Sequence, residues 1–102
     1  MTLEELKELF DTEVEEIGGE FLKFERVKVK LSSRPDVHAF LLLDTLVPGN
    51  SDMVANAQHD EIFLGVELEN LVENDITKEQ VIDLIRCGVR YDDDVDSLAM
   101  FV

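Results

Sequence analysis

A chain of 102 residues is enough for one domain, and 45% apolar residues are enough for a core, so disorder is not expected. Twenty-four acids against nine bases give a formal net charge of -15. That balance excludes a direct nucleic-acid reader or a binder of anionic membrane, because both need a basic face.

The single cysteine excludes an internal disulfide and suits a reducing compartment. Met1-Thr2-Leu3-Glu4-Glu5 lacks the basic region and apolar core of a signal peptide. The apolar run Phe40-Leu41-Leu42-Leu43 is far too short to span a bilayer. A cytoplasmic protein is the expectation.

Residues 2–17 read as an amphipathic helix. Thr2 and Glu5 form a T-x-x-E capping box. Leu3, Leu6, Phe10, Val14 and Ile17 then recur at helical steps, with Leu9 alongside. Gly18-Gly19 ends the pattern. On the opposite side Glu4, Glu8, Asp11 and Glu15 share one stripe. Like charges at these steps repel. A surface chosen only for stability would interleave lysines, and Lys7 is the one lysine in the helix. The four acids are therefore the candidate partner-binding residues. A merely solvated face is the competing reading.

Residues 21–31 read as a strand, because Val27, Val29 and Leu31 alternate with Lys28 and Lys30. Leu22 and Phe24 have the opposite parity, which predicts a bulge near Glu25-Arg26. Ser32-Ser33-Arg34-Pro35-Asp36 reads as a turn. Residues 37–47 read as a second strand, apolar on both faces and so central, closing a hairpin with the first. Residues 48–57, opening with Pro48-Gly49-Asn50, read as a mobile loop. Residues 61–66 read as a third strand and residues 67–72 as a short helix. Residues 48–75 hold seven acids and no base.

The clearest signals lie in residues 74–102. Thr77 and Gln80 form a second capping box, and Ile76 and Val81 sit at the spacing of a hydrophobic staple. Val81, Leu84 and Ile85 share one face, and Arg86 suits the negative end of the helix dipole. Gly88 stands where a left-handed residue closes a helix, with Val89 placed to touch Leu84. Residues 89–91 and 98–102 are expected to pair around the acidic turn 92–96. The whole is a single α+β domain, 1–102, in the order α-β-β-β-(α)-α-β. Its sheet is mainly antiparallel, of about four strands, with helices packed on one face.

Asp92-Asp93-Asp94-Val95-Asp96 resembles the start of a calcium loop. Ser97 stands where that loop needs glycine, and its twelfth position falls beyond Val102, so an acidic turn is the reading. His38 shares parity with Phe40 and Leu42 and reads as a covered, hydrogen-bonded side chain rather than a ligand. His59 stands in a lone His-Asp pair, too few ligands for a metal. Cys87 at a helix C-terminus meets a negative dipole, which disfavours a nucleophilic thiolate. No phosphate loop, dinucleotide fingerprint, G-x-S-x-G or H-E-x-x-H is present. The expectation is a protein with no catalytic residues, no cofactor and no metal.

The tail Ile85-Arg86-Cys87-Gly88-Val89-Arg90-Tyr91-Asp92, ending in Ser97-Leu98-Ala99-Met100-Phe101-Val102, resembles the C-terminal end of small uncharacterised proteins encoded by bacteriophages. That resemblance implies a phage-borne gene acting in a host cytoplasm. Together with the charge, it points to a small acidic protein that binds a basic surface of another protein. An inhibitor or modulator of a host nucleic-acid-binding protein, or a partner of a basic toxin, fits that description. A structural or assembly protein working as a homodimer through an exposed strand edge is the alternative.

Overall fold

Each of the two capping boxes starts a helix at the position its sequence dictates. The computed structural model describes residues 1–10, 19–49 and 51–101. Helix α1 spans Leu3–Leu9, where the Glu5 amide donates to Thr2 Oγ1 at 3.1 Å and the Thr2 amide to Glu5 Oε1 at 3.2 Å. The rest of the predicted helix, with Asp11 and Glu15, lies outside the described residues.

Residues 37–47 form no strand. Pro35–Leu46 is an α-helix, α2. Proline at its first position has its torsion preset for a helix, and Asp36 in the first turn meets the positive end of the dipole. A run that is apolar on every side is compatible with a buried strand or a buried helix. Here leucine, a good helix former, outnumbers the β-branched residues.

Residues 21–31 are likewise not a strand. They contain a single 3-10 turn, Phe24–Arg26, followed by irregular chain. With α2 where the second strand was expected, the alternating valines have no ladder to join. The predicted hairpin is therefore replaced by a loop leading into a helix.

The sheet has four antiparallel strands in the spatial order β1-β2-β4-β3. Strand β1 is Val54–Gln58, β2 is Glu61–Leu64, β3 is Arg90–Asp92 and β4 is Ser97–Phe101. Strand β1 occupies much of the stretch read as a mobile loop, so that expectation is also corrected. The third expected strand is β2, and the pair flanking the acidic turn is β3 and β4. Strand β2 stops at Gly65, whose amide donates to the Met53 carbonyl at 2.6 Å. A Cβ at Gly65 would stand 2.5 Å from the Asp52 carbonyl oxygen, so the two backbones meet only because the side chain is absent.

Two further helices lie between β2 and β3: α3, Leu68–Glu73, and α4, Lys78–Arg86. Helix α4 has its predicted box, with the Gln80 amide on Thr77 Oγ1 at 3.2 Å and the Thr77 amide on Gln80 Oε1 at 2.9 Å. It ends in a Schellman motif. The Val89 amide donates to the Leu84 carbonyl at 3.0 Å, the Gly88 amide to the Ile85 carbonyl at 2.9 Å, and Gly88 has φ +95°.

One core joins these layers. Leu6 and Phe10, Ala39 and Leu43, Leu71, and Val81, Leu84 and Ile85 come from the helical side. Leu64, Leu98 and Met100 come from the sheet. The pairing of Ile62 with Met100 puts the alternate residues Leu64 and Leu98 on that same inner face. Glu61, Phe63 and Phe101 fall on the other face. There Arg90 lies 4.5 Å from the centroid of the Phe101 ring and forms an ion pair with Glu61. The result is an α+β fold with its helices on one face of a mainly antiparallel sheet. No described helix is long and apolar enough to cross a membrane.

Candidate protein-binding surface

Burying Leu6 and Phe10 in the core turns Glu4, Glu5 and Glu8 of α1 to solvent. Helix α3 packs beside α1, and its buried Leu68 and Leu71 leave Glu69 and Glu73 exposed, with Glu67 at its cap. Two neighbouring helices therefore present carboxylates outward. The sequence shows each acidic segment but not that they adjoin, because the contact between α1 and α3 is set by tertiary packing. Of the four predicted partner-binding residues, Glu4 and Glu8 are exposed on α1. Asp11 and Glu15 lie outside the described residues.

The lysine of α1 does not interrupt this surface. Lys7 Nζ is 3.4 Å from Asp96 Oδ1 and 5.4 Å from the centroid of the Tyr91 ring, so it reaches to the β3–β4 hairpin. The Tyr91 hydroxyl donates to the same Asp96 carboxylate. The three groups shift one another. Tyr91 and Asp96 hold the Lys7 ammonium above its ordinary pKa. The Tyr91 hydrogen bond, then Lys7, holds Asp96 below the usual carboxylate value.

The other cations are also accounted for by position. Arg86 is paired with Glu20 and Asp83, and Arg90 with Glu61 and Asp92. Among the described residues from 35 to 101, Lys78 is the one exposed base. The remaining exposed bases, Lys23, Arg26, Lys28, Lys30 and Arg34, cluster in the loop that precedes α2. Exposed bases thus concentrate in the loop before α2, and exposed acids outnumber them elsewhere.

The cysteine and the two histidines sit elsewhere. Cys87 is buried, and burial, with the Asp83 carboxylate adding, pushes its thiol up to about 12. His38 is buried on α2, not on a strand. Its Nδ1 accepts from the Leu31 amide at 3.0 Å, so the expectation of a covered, hydrogen-bonded histidine holds on a different element. His59 is exposed in the β1–β2 turn with φ +53°.

Among the described residues, the one grouping of three ligand-type side chains is Asp92, Asp93 and Asp94, whose carboxylate oxygens lie within 4.8 Å of one another. Asp92 Oδ1 accepts from the Asp94 amide at 3.0 Å, which is turn chemistry. An open cleft of about 320 Å³ is lined by Lys28 and Val29 on one side and by Glu79, Ile82, Asp83 and Arg86 of α4 on the other.

No protein family, curated protein or solved structure matches this chain.

Proposed function

We propose that this is a small acidic, non-enzymatic protein that binds a basic surface on another protein. The observation that carries the reading is the packing of α1 beside α3 with Glu4, Glu8, Glu69 and Glu73 all exposed. Complementary fields of this kind speed encounter and suppress wrong partners. A phage-borne modulator in the host cytoplasm fits the resemblance of the tail and the single buried thiol. Its target class is a host nucleic-acid-binding protein or a basic toxin, since such proteins carry cationic surfaces that complement exposed carboxylates.

The test is capture from host lysate at low and at high salt, using the wild type and a variant with Glu4, Glu8, Glu69 and Glu73 changed to Gln. A partner that is lost at high salt and lost with the variant is then purified, and its association rate is measured against ionic strength. Superimposable rate curves for the two proteins refute the reading.

A second reading, self-association, is favoured by β1. All five of its residues are exposed, it carries no charge, and it lies at the edge of the sheet. Against it, Asn56 Oδ1 takes the Ala57 amide at 2.8 Å, and the register shifts between Val54 and Asn56, both of which blunt an edge. Light scattering separates the two readings. A stable dimer that dissociates when Ala55 or Ala57 is changed to Pro supports the second.

A further inference from the structure

Residues 28–33 lead from the cleft beside α4, where Lys28 and Val29 form one wall, toward α2, and this arch has few anchors. Among the described residues, no backbone group of Lys28, Val29 or Lys30 is hydrogen-bonded. Val29 is 77% exposed and Leu31 50% exposed, so neither is anchored by burial. Lys30 Nζ bonds to the Val27 carbonyl and Ser32 Oγ to the Arg34 amide, both local contacts. The described hydrogen bond that ties this arch to another element is the one from the Leu31 amide to His38 Nδ1 on α2.

That bond has a chemical condition. Nδ1 accepts only while it is unprotonated. Neutral His38 must then carry its proton on Nε2, which is buried with no partner among the described residues. Adding a proton places an N–H at Nδ1, pointing at the N–H of Leu31, and puts a charge on a ring that is 3% exposed. The groups facing the ring are few. Asp83 on α4 favours the cation, Lys30 on the arch opposes it, and Phe24 packs edge-on at 5.7 Å between centroids. Asp83 is already engaged by Arg86 at 3.0 Å, so it offers only part of its charge.

We propose that His38 is a proton-operated latch: neutral, it holds residues 28–33 closed against α2, and protonated, it releases them. Release lifts Lys28 and Val29 from the cleft and presents the α4 face of Glu79, Ile82, Asp83 and Arg86 to a partner or to solvent. Burial and Lys30 set the release below the ordinary histidine range, so the arch is closed at neutral pH and opens in acid.

Nuclear magnetic resonance of the whole chain tests this. The His38 ring signals, assigned by comparison with His59→Gln, are followed from pH 8 to pH 4 together with amide protection factors. The Leu31 protection factor is expected to fall at least tenfold with the same midpoint as the ring, while the Val81 and Leu84 amides of α4 remain protected. His38→Asn keeps a neutral acceptor near the Nδ1 position and is expected to abolish the pH dependence at Leu31. The proposal fails if Leu31 protection stays constant while the ring titrates. It also fails if Leu31, Val81 and Leu84 lose protection together, since that is global unfolding. Should His38→Asn not fold, the wild-type comparison of Leu31 with α4 still decides.

Discussion

Arg86 Nε donates to Glu20 Oε2 at 2.7 Å across 66 positions of the chain. The same guanidinium reaches Asp83 Oδ1 at 3.0 Å and the Arg26 carbonyl at 3.3 Å, and Arg26 Nη1 closes the circuit on Glu20 Oε1 at 3.0 Å. Near it, the Leu22 amide donates to the Ile85 carbonyl at 3.2 Å. The loop before α2 is thus fastened to the C-terminal turn of α4 by a planar fork that satisfies three acceptors.

Lysine cannot reproduce that fork. Arg86→Lys is expected to destabilise the fold by about 1–2 kcal/mol, a modest figure because the pair is partly solvated. Chemical denaturation measures it. A double-mutant cycle with Glu20→Gln should show coupling, and strictly additive effects would deny the circuit. Arg86 and Arg26 also hold the Glu20 carboxyl below its ordinary value. A depressed carboxylate contributes stability above its unfolded pKa, and that contribution is lost as pH falls through the folded value. Acid unfolding of Arg86→Lys should therefore begin at a higher pH than that of the wild type.

Gly88 sits at φ +95°, and a Cβ there would come within 2.8 Å of Leu22 Cδ2. Leu22 is 63% exposed, so its side chain can move aside, and the backbone angle sets most of the cost. Gly88→Val should lose about 1–2 kcal/mol, because a β-branched residue resists the left-handed region. Gly88→Asn should lose less, since Asn tolerates that region. Equal and negligible losses in denaturant would contradict the Schellman ending of α4.

The Cys87 thiol, pushed up to about 12 by burial and Asp83, is protonated and shielded at neutral pH. It should react with a thiol-specific chromogenic reagent at the rate of unfolding, not at the rate of a free thiol. Cys87→Ser should leave partner binding intact. Rapid labelling of the folded protein, or loss of binding without loss of fold, would return the cysteine to the list of functional groups.

The elements legible in the sequence are those whose signals are local. Thr2 with Glu5, Thr77 with Gln80, and Gly88 each fix a helix end through neighbours within a few residues. The β3–β4 pair was legible for the same reason, through its short acidic turn. Helix α2 was misread because its apolar residues point every way, and periodicity then separates strand from helix poorly. Pro35 and Asp36 carried the decisive signal but also read as turn residues. Strand β1 was invisible because alternation comes from burying one face, and β1 buries neither. Val27, Val29 and Leu31 alternate without a partner strand, so a strand pattern alone does not make a strand. The exposure of Glu4 and Glu8 was legible on α1. The packing of α3 beside α1 was not, because the packing of two helices is not written in either one.

The exposed acids of α1 and α3 make a prediction about the fold as well as about binding. Glu4 with Glu8 and Glu69 with Glu73 are each four residues apart on a helix, so each pair repels along its own surface. Lys7, the one lysine described on α1, is drawn to Asp96 on the β3–β4 hairpin. These charges therefore cost stability, on a protein whose net charge of -15 already opposes compaction. Changing all four to Gln is expected to raise the melting temperature at low salt by about 2–4 °C. Added sodium chloride should stabilise the wild type by screening the same repulsion, and should stabilise the variant less. Calorimetry at two salt concentrations makes both comparisons. A variant that gains stability while losing a salt-sensitive partner shows that these carboxylates are kept for binding at a cost to the fold. A variant with unchanged melting and unchanged salt response shows that the four charges are too well solvated to feel one another. The acidic surface would then lose its claim to be more than solubilising.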